Sequence, residues 1–184
     1  MARSSDAGAA AEQVLRLALS RPPTLGPGRL VSIDGPSGSG KTTLATALAR
    51  LSPDVRVVHL DAMYDGWDGL PRIDVALRGL LEPLTVGRPG RYRRYDWQAG
   101  RYAGEVVVAP RPVLVVEGVG AWCPALGELT TVLVWVEAPT DLRLARAVAR
   151  DGAAMEERLR TWAAAEDAHF AHTGARERAD LVVS

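Results

Sequence analysis

The residues that indicate a chemical role most clearly lie in a glycine-rich segment. This segment also carries the only lysine of the chain. Residues 35–42 read Gly-Pro-Ser-Gly-Ser-Gly-Lys-Thr and fit the pattern G-x-x-x-x-G-K-[ST] in full. The glycines let backbone N–H groups curve around phosphate oxygens without a Cβ clash. Lys41 is the one lysine among 22 basic residues. A compact ammonium group can serve where the planar fork of arginine would not fit. The segment therefore predicts a site for the phosphates of a nucleotide.

The motif also assigns roles to individual residues. We expect Lys41 to reach the β- and γ-phosphates and the Thr42 hydroxyl to bind Mg²⁺. A helix that begins at the loop would turn its positive end toward the same anion. ATP and Mg²⁺ are the cofactors that this pattern implies. The residues expected to bind the nucleotide are Gly35, Pro36, Ser37, Gly38, Ser39, Gly40, Lys41, Thr42 and Thr43.

Strands and helices alternate along the sequence. A Val/Leu-rich strand at 29–34 precedes the loop, and a helix at 41–51 follows it. The further strands are predicted at 55–60, 112–117, 131–136 and 181–183, and the further helices at 10–20, 73–84, 141–150 and 155–172. Residues 61–105 show no clear period outside their helix. The alternation predicts an α/β chain of three layers with a five-stranded, mostly parallel sheet. Together with the phosphate loop between the first strand and its helix, it indicates the P-loop NTPase fold.

Several acids stand where strands of such a sheet end. Ligands bind at the carboxyl ends of parallel strands, and Asp61 and Glu117 each follow or end an apolar run. The position of Glu117 suits an acid that binds Mg²⁺ or its water ligands, together with Thr42. A solvated strand end would look the same. Asp34, directly before the loop, fits either a structural role or contact with a magnesium-bound water.

Composition excludes several classes of protein. The 22 basic and 22 acidic residues cancel, which argues against nucleic-acid binding. No apolar run is long enough to span a bilayer, and the polar start of the chain does not resemble a secretory signal. A single cysteine, Cys123, suits a reducing compartment and is expected to be inert. We therefore expect a cytoplasmic protein, monomeric or homodimeric, that binds neither nucleic acid nor membrane. Its P-loop domain is expected at 29–184, after a helix and linker at 1–28.

Six segments in matching order resemble the uridine kinase-like group of small-molecule P-loop kinases. Residues 35–43 resemble the loop GxSGSGKTT of that group, and residues 60–64 resemble its D-x-F-Y element. The other four segments are residues 95–97 with Arg101, residues 115–118, residues 136–143 with the arginines that follow, and residues 179–183. The resemblance implies transfer of the ATP γ-phosphate to a hydroxyl of a small molecule, with a nucleoside as the leading acceptor.

The resemblance also implies catalytic residues. Asp61 corresponds to the carboxylate that takes the proton of the acceptor hydroxyl, and an alcohol needs such a base before it attacks. A cap or a water-mediated magnesium contact are the alternatives for this residue. Arg146 and Arg150 lie, with Arg143, on one face of a predicted lid at about 143–156. They would neutralise charge on the transferring group together with Lys41, although a surface helix would show the same spacing.

An aromatic and arginine-rich segment supplies the candidate acceptor site. Residues 64–102 hold all four tyrosines and two of the five tryptophans. Aromatic rings stack on planar groups, and arginine pairs with carboxylates, phosphates or base edges. Ordinary packing and a solvated surface are the alternatives. The expected acceptor contacts are Tyr64, Trp67, Tyr95 and Arg101.

Departures from the family pattern leave the acceptor open. Gln98, Ala99 and Gly100 stand where uridine kinases carry a base-contacting histidine. A nucleoside monophosphate, a shikimate-like acid or an antibiotic remains a rival acceptor. A regulatory ATP-binding protein without an acceptor is the rival from another class. His59 is expected to pack inside its strand, and His169 and His172 lack the further ligands of a metal site.

Overall fold

The computed structural model describes residues 2–184, and their side chains from Asp6 onward. Within these residues, seven strands and six α-helices follow the order that the sequence predicts, apart from two additional strands and one additional short helix. The strands are β1 (Arg29–Asp34), β2 (Val55–His59), β3 (Gly90–Asp96), β4 (Arg101–Val108), β5 (Val113–Glu117), β6 (Val132–Val136) and β7 (Leu181–Val183). The helices are α1 (Ala2–Ser20), α2 (Lys41–Leu51), α3 (Ile73–Thr85), α4 (Thr140–Asp151), α5 (Glu156–Thr173) and α6 (Ala175–Arg178).

The five aliphatic strands form one sheet in the order β2-β5-β1-β6-β7. Every neighbouring pair in this sheet is parallel, where the sequence predicted a mostly parallel one. All residues of β5 and β6 are buried, as expected for strands that are covered on both faces. The predicted α/β fold of three layers is confirmed.

Helices cover both faces of the sheet. On one face α1 and α2 pack over Val31, Ile33 and the other side chains that alternate toward them. On the other face Leu114 and Val116 pack against α3, α5 and the loop after β5. Side chains along a strand alternate between faces. A continuous apolar run such as β5 therefore supplies both cores at once.

Helix α1 is longer than the sequence predicts, because it begins at Ala2 instead of residue 10. The residues that begin it are mostly small or polar and carry no apolar period. Its second half packs against the domain through Ala11, Val14 and Ala18, which are fully buried. None of the described helices is both long and apolar enough to cross a membrane.

An antiparallel hairpin of β3 and β4 fills the region that showed no clear period. Its register shifts between Arg93 and Tyr95, and this irregularity breaks the alternation by which a strand is predicted. The turn is closed by the carboxylate of Asp96, which accepts hydrogen bonds from the backbone N–H groups of Gln98 and Ala99. The hairpin packs on α3 and on the segment after β2.

Candidate active site

A cleft of about 1040 Å³ opens at the carboxyl ends of the parallel strands. The phosphate loop, the segment after β2, the end of β5 and helix α4 all contribute to its wall. The sheet therefore brings together groups that lie far apart in sequence. Of the predicted site residues, the cleft wall includes Ser37, Gly38, Ser39, Gly40, Lys41, Thr42, Thr43, Asp61, Tyr64, Trp67, Glu117, Arg146 and Arg150.

The phosphate loop adopts a conformation that only glycine tolerates at its tightest points. Gly38 has a φ of 76°, and a Cβ added there would lie 2.5 Å from the carbonyl oxygen of Arg143. The side chain of Lys41 is 7% exposed and donates hydrogen bonds to the carbonyl oxygens of Gly35 and Pro36, at 2.7 and 2.9 Å. Burial lowers the pKa of Lys41, and the surrounding carboxylates, Glu166 foremost, oppose this shift.

Replacing Gly38 by alanine is expected to weaken the binding of Mg·ADP at least tenfold. The positive φ costs about 1–2 kcal/mol for an L-residue, and the backbone of Arg143 must also move away. Titration calorimetry with Mg·ADP measures the effect. Gly79→Ala is the matched control, because Gly79 lies within α3 and its added Cβ meets only ordinary contacts. Equal affinity in both variants would contradict the geometry described for the loop.

Asp34 holds the phosphate loop to the segment after β5. Its carboxylate is fully buried and accepts hydrogen bonds from the backbone N–H groups of Gly35, Gly120 and Trp122, at 2.7, 2.9 and 3.0 Å. Of the two roles that the sequence left open, these contacts support the structural one, and Asp34 is not part of the cleft wall. Burial raises the pKa of Asp34 to about 6, against the opposing effect of its donors and of Lys41.

The raised pKa of Asp34 makes stability depend on pH. An aspartate in the unfolded chain titrates near pH 4, so the folded chain retains a proton between about pH 4 and 6 that the unfolded chain has released. The free energy of unfolding should fall by about 3 kcal/mol through this group as pH rises across that window. Urea unfolding of Asp34→Asn at a series of pH values should lack this part of the decline. The control Asp141→Asn, at an exposed position, should show the same decline as the wild type. Equal dependence of the free energy of unfolding on pH in the wild type and both variants would refute the raised pKa of Asp34.

Asp61 and Glu117 both line the cleft, close enough for the charge of Glu117 to act on Asp61. Asp61 stands in the short 3-10 turn Leu60–Ala62, directly after β2. Its enclosure by the cleft and the charge of Glu117 raise its pKa, whereas Lys41 and Arg150 act in the opposite direction. The Thr42 hydroxyl donates a hydrogen bond to Glu117 at 3.1 Å. Thus the lysine, the hydroxyl and both carboxylates that the sequence singled out share one site.

His59 also belongs to this site, which the sequence did not predict. Its side chain is 50% exposed instead of packed within the strand, and its Nδ1 lies 2.5 Å from Glu117 Oε1. The hydrogen bond to Glu117 raises the pKa of His59, in opposition to partial burial. His59 and Glu117 are register partners in the parallel pair β2 and β5, and this explains why their side chains meet.

Two arginines of α4 point into the cleft. Arg146 donates a hydrogen bond to the carbonyl oxygen of Gly38 at 2.9 Å. Arg150 pairs with Asp151 at 2.7 Å, and its charge also acts on Asp61. Arg143, on the same helix, turns instead toward the carbonyl oxygen of Ala138 and the hydroxyl of Thr140.

Four aromatic rings form one wall of the cleft, which we call the aromatic wall: Tyr64, Trp67, Trp97 and Trp162. The rings pack edge to face, with centroid distances of 5.2–5.9 Å. Trp97 donates its indole N–H to the carbonyl oxygen of Asp61 at 2.7 Å. The sequence missed Trp97 and Trp162, because they come from the hairpin turn and from α5, and only the folded chain brings them to Tyr64.

Two predicted acceptor contacts lie outside the cleft wall. The ring of Tyr95 packs behind the wall, against Trp97 and Tyr102. Arg101 is exposed on the hairpin and does not line the cleft. The neighbouring arginines also make contacts within the hairpin, since Arg91 pairs with Glu105 and Arg93 lies over the ring of Tyr102.

Comparison with known proteins agrees with this fold. No protein-family profile matches the chain. A uridine kinase of Latilactobacillus sakei is 30% identical over 152 residues, which cover 72% of this chain and 70% of that protein. A solved structure described as a possible uridine kinase from Bacillus stearothermophilus superposes with a TM-score of 0.70 at 19% identity. The match covers 100% of this chain and 100% of that one.

A second solved structure, described as a candidate fructose transport system kinase from Silicibacter sp. TM1040, has a TM-score of 0.61 at 25% identity and covers 97% of this chain and 98% of its own. The first structure supports the fold, and the sequence relative adds the family. Together with the phosphate loop at the end of β1, these likenesses show that the chain belongs to the uridine kinase-like family of P-loop kinases.

Proposed function

We propose that the chain transfers the γ-phosphoryl group of Mg·ATP to a hydroxyl of a small molecule, with a nucleoside as the leading acceptor. The observation that carries this proposal is the position of Asp61. Asp61 lines the same cleft as Lys41 and the aromatic wall, its carbonyl oxygen accepts the indole N–H of Trp97, and the charge of Lys41 acts on its carboxylate. A hydroxyl held against the wall would meet both a base and a bound phosphate there.

The phosphate end of the cleft fits a magnesium nucleotide. Backbone N–H groups at the start of α2 and the Lys41 ammonium offer donors to phosphate oxygens. The oxygens of Thr42 and Glu117 suit Mg²⁺, which usually takes one or two protein ligands besides phosphates and water. Among the described residues, no group of three or more histidines, cysteines or acids is arranged to hold a metal ion by itself. When bound, Mg²⁺ would neutralise the phosphate charge.

Residues of the chain would take up the proton of the acceptor and neutralise the charge that develops on the transferring group. Asp61 would take the proton of the acceptor hydroxyl as that oxygen attacks phosphorus. Lys41, Arg146 and Arg150 would balance the charge on the oxygens of the transferring group. We place the lid at about 143–156, where its closure would exclude water and limit hydrolysis of ATP.

The chemistry of the aromatic wall favours an acceptor without a phosphate. Trp97 and Trp162 already use their indole N–H groups within the protein, so the wall offers ring surfaces for stacking. The hairpin arginines that could bind an acceptor phosphate are absent from the cleft lining. A nucleoside, which has a planar, uncharged base and a nearby hydroxyl, therefore matches this wall better than a nucleoside monophosphate. The relatives that bear the name uridine kinase support the same choice.

Release of ADP from Mg·ATP across a panel of acceptors tests this proposal. The panel holds nucleosides, their monophosphates, sugars, shikimate-like acids and aminoglycosides. We expect a nucleoside to raise turnover well above the background with water, and its monophosphate to have no such effect. Nucleotide binding without activation by any member of the panel would instead support a regulatory ATP-binding protein.

A further inference from the structure

A buried carboxylate that the proposed chemistry does not use lies directly behind the phosphate loop. Glu166 of α5 is 1% exposed. Burial raises the pKa of this carboxyl, and its hydrogen-bond donors and Lys41 oppose the shift. Burying a carboxylate is costly unless several donors compensate it. A residue of this type in the interior therefore needs a reason beyond filling space.

The contacts of Glu166 join two parts of the cleft. Its two oxygens accept the backbone N–H of Ser37, in the phosphate loop, at 3.0 and 3.2 Å. Its Oε1 also accepts the indole N–H of Trp162 at 2.5 Å. The same indole N–H lies 3.2 Å from Ser37 Oγ. One carboxylate thus fixes a backbone group of the nucleotide site and a ring of the aromatic wall.

The link continues into the aromatic wall. The ring of Trp162 packs edge to face on Tyr64 and Trp67, with centroids 5.2 and 5.9 Å away. The guanidinium group of Arg143 lies 3.9 Å from the Oε2 atom of Glu166. A shift of the Glu166 carboxylate would therefore move the wall relative to the phosphate loop, and a displacement of about 1 Å between reacting groups can cost about 10²-fold in rate.

We propose that Glu166 is a positioning residue for phosphoryl transfer, which holds the aromatic wall and the phosphate loop at a fixed distance from each other. This inference rests on the proposed function, because the wall must bind the acceptor. Glutamine has the shape of glutamate but only one acceptor oxygen. In Glu166→Gln an amide NH₂ group replaces one of the two oxygens: in place of Oε2 it faces the backbone N–H of Ser37, and in place of Oε1 it faces the N–H groups of both Ser37 and Trp162.

The kinetic test compares Glu166→Gln with Trp162→Phe, which retains a ring and removes the indole N–H. For each variant kcat/KM for the acceptor should fall about 10- to 100-fold, while the affinity for Mg·ADP changes less than threefold. The double variant should resemble the more severe single variant, because both changes break one link. Asp167→Asn, an exposed carboxylate on the same helix, is the control. Additive losses, or equal losses of acceptor and nucleotide binding, would overturn the proposal.

A fluorescence test needs no acceptor and so separates this inference from the proposed function. Titration with Mg·ADP should change the tryptophan emission of the wild-type protein. Trp162→Phe and Glu166→Gln should lose most of that change, although calorimetry should show that both still bind the nucleotide. Asp167→Asn should respond as the wild type does. A full response in Glu166→Gln would show that this carboxylate does not connect the two sites.

Discussion

Replacing Asp61 by asparagine is expected to lower kcat about 10³-fold, within the range that general base catalysis contributes. Asparagine keeps the shape of the side chain but cannot take a proton from the acceptor hydroxyl. The phosphate loop should be unaffected, because no side-chain hydrogen bond joins it to Asp61 among the described residues. The affinity for Mg·ADP should therefore stay within about threefold of the wild-type value.

Steady-state release of ADP with a saturating acceptor measures this effect. Asp68→Asn is the matched control, because Asp68 lies seven positions further along the chain, is exposed and does not line the cleft. If Asp61→Asn retained more than a tenth of the wild-type kcat, Asp61 would not be the general base. An equally large loss in Asp68→Asn would mean that the effect is not specific to this position.

Replacing Lys41 by methionine is expected to lower kcat about 10²- to 10³-fold, as the loss of one preorganised donor does in other enzymes. Methionine fills the space of the side chain but offers no donor to the transferring group. Lys41→Arg should not restore activity, because the side chain is 7% exposed and the larger planar fork does not fit between Gly35, Pro36 and the cleft floor.

Arg50→Met provides the control for the lysine variants. Arg50 is exposed in the last turn of the same helix, so its replacement removes one positive charge without touching the cleft. Thermal unfolding establishes whether each variant is folded before its kinetics are compared. An active Lys41→Arg would show that charge alone, without the compact ammonium, suffices at this position.

The features that could be predicted are those whose cause is local in sequence. The strands of the sheet are short Val/Leu-rich runs, and the phosphate loop is a contiguous motif that carries the only lysine. Asp61 and Glu117 could be named because parallel strands gather their carboxyl ends at one edge. In each case a pattern of a few residues contains the physical reason for the structure.

The features that could not be predicted depend on contacts between segments that are distant in sequence. The hairpin was missed because its register shift between Arg93 and Tyr95 interrupts the alternation. Trp162 and Glu166 stand in a helix whose boundaries were predicted well, yet only the fold shows that they face the phosphate loop. His59 meets Glu117 through strand register, which cannot be known before the order of the strands is known.

Transfer of a labelled γ-phosphoryl group tests the central claim most directly. Mg·ATP labelled at the γ-phosphate is incubated with the protein and with the nucleoside that gives the highest ADP release, and the products are separated. We predict that the label appears in a phosphoester of the nucleoside, and that Asp61→Asn forms about 10³-fold less of it. Label found only in inorganic phosphate, at the same rate with and without the acceptor, would contradict the account.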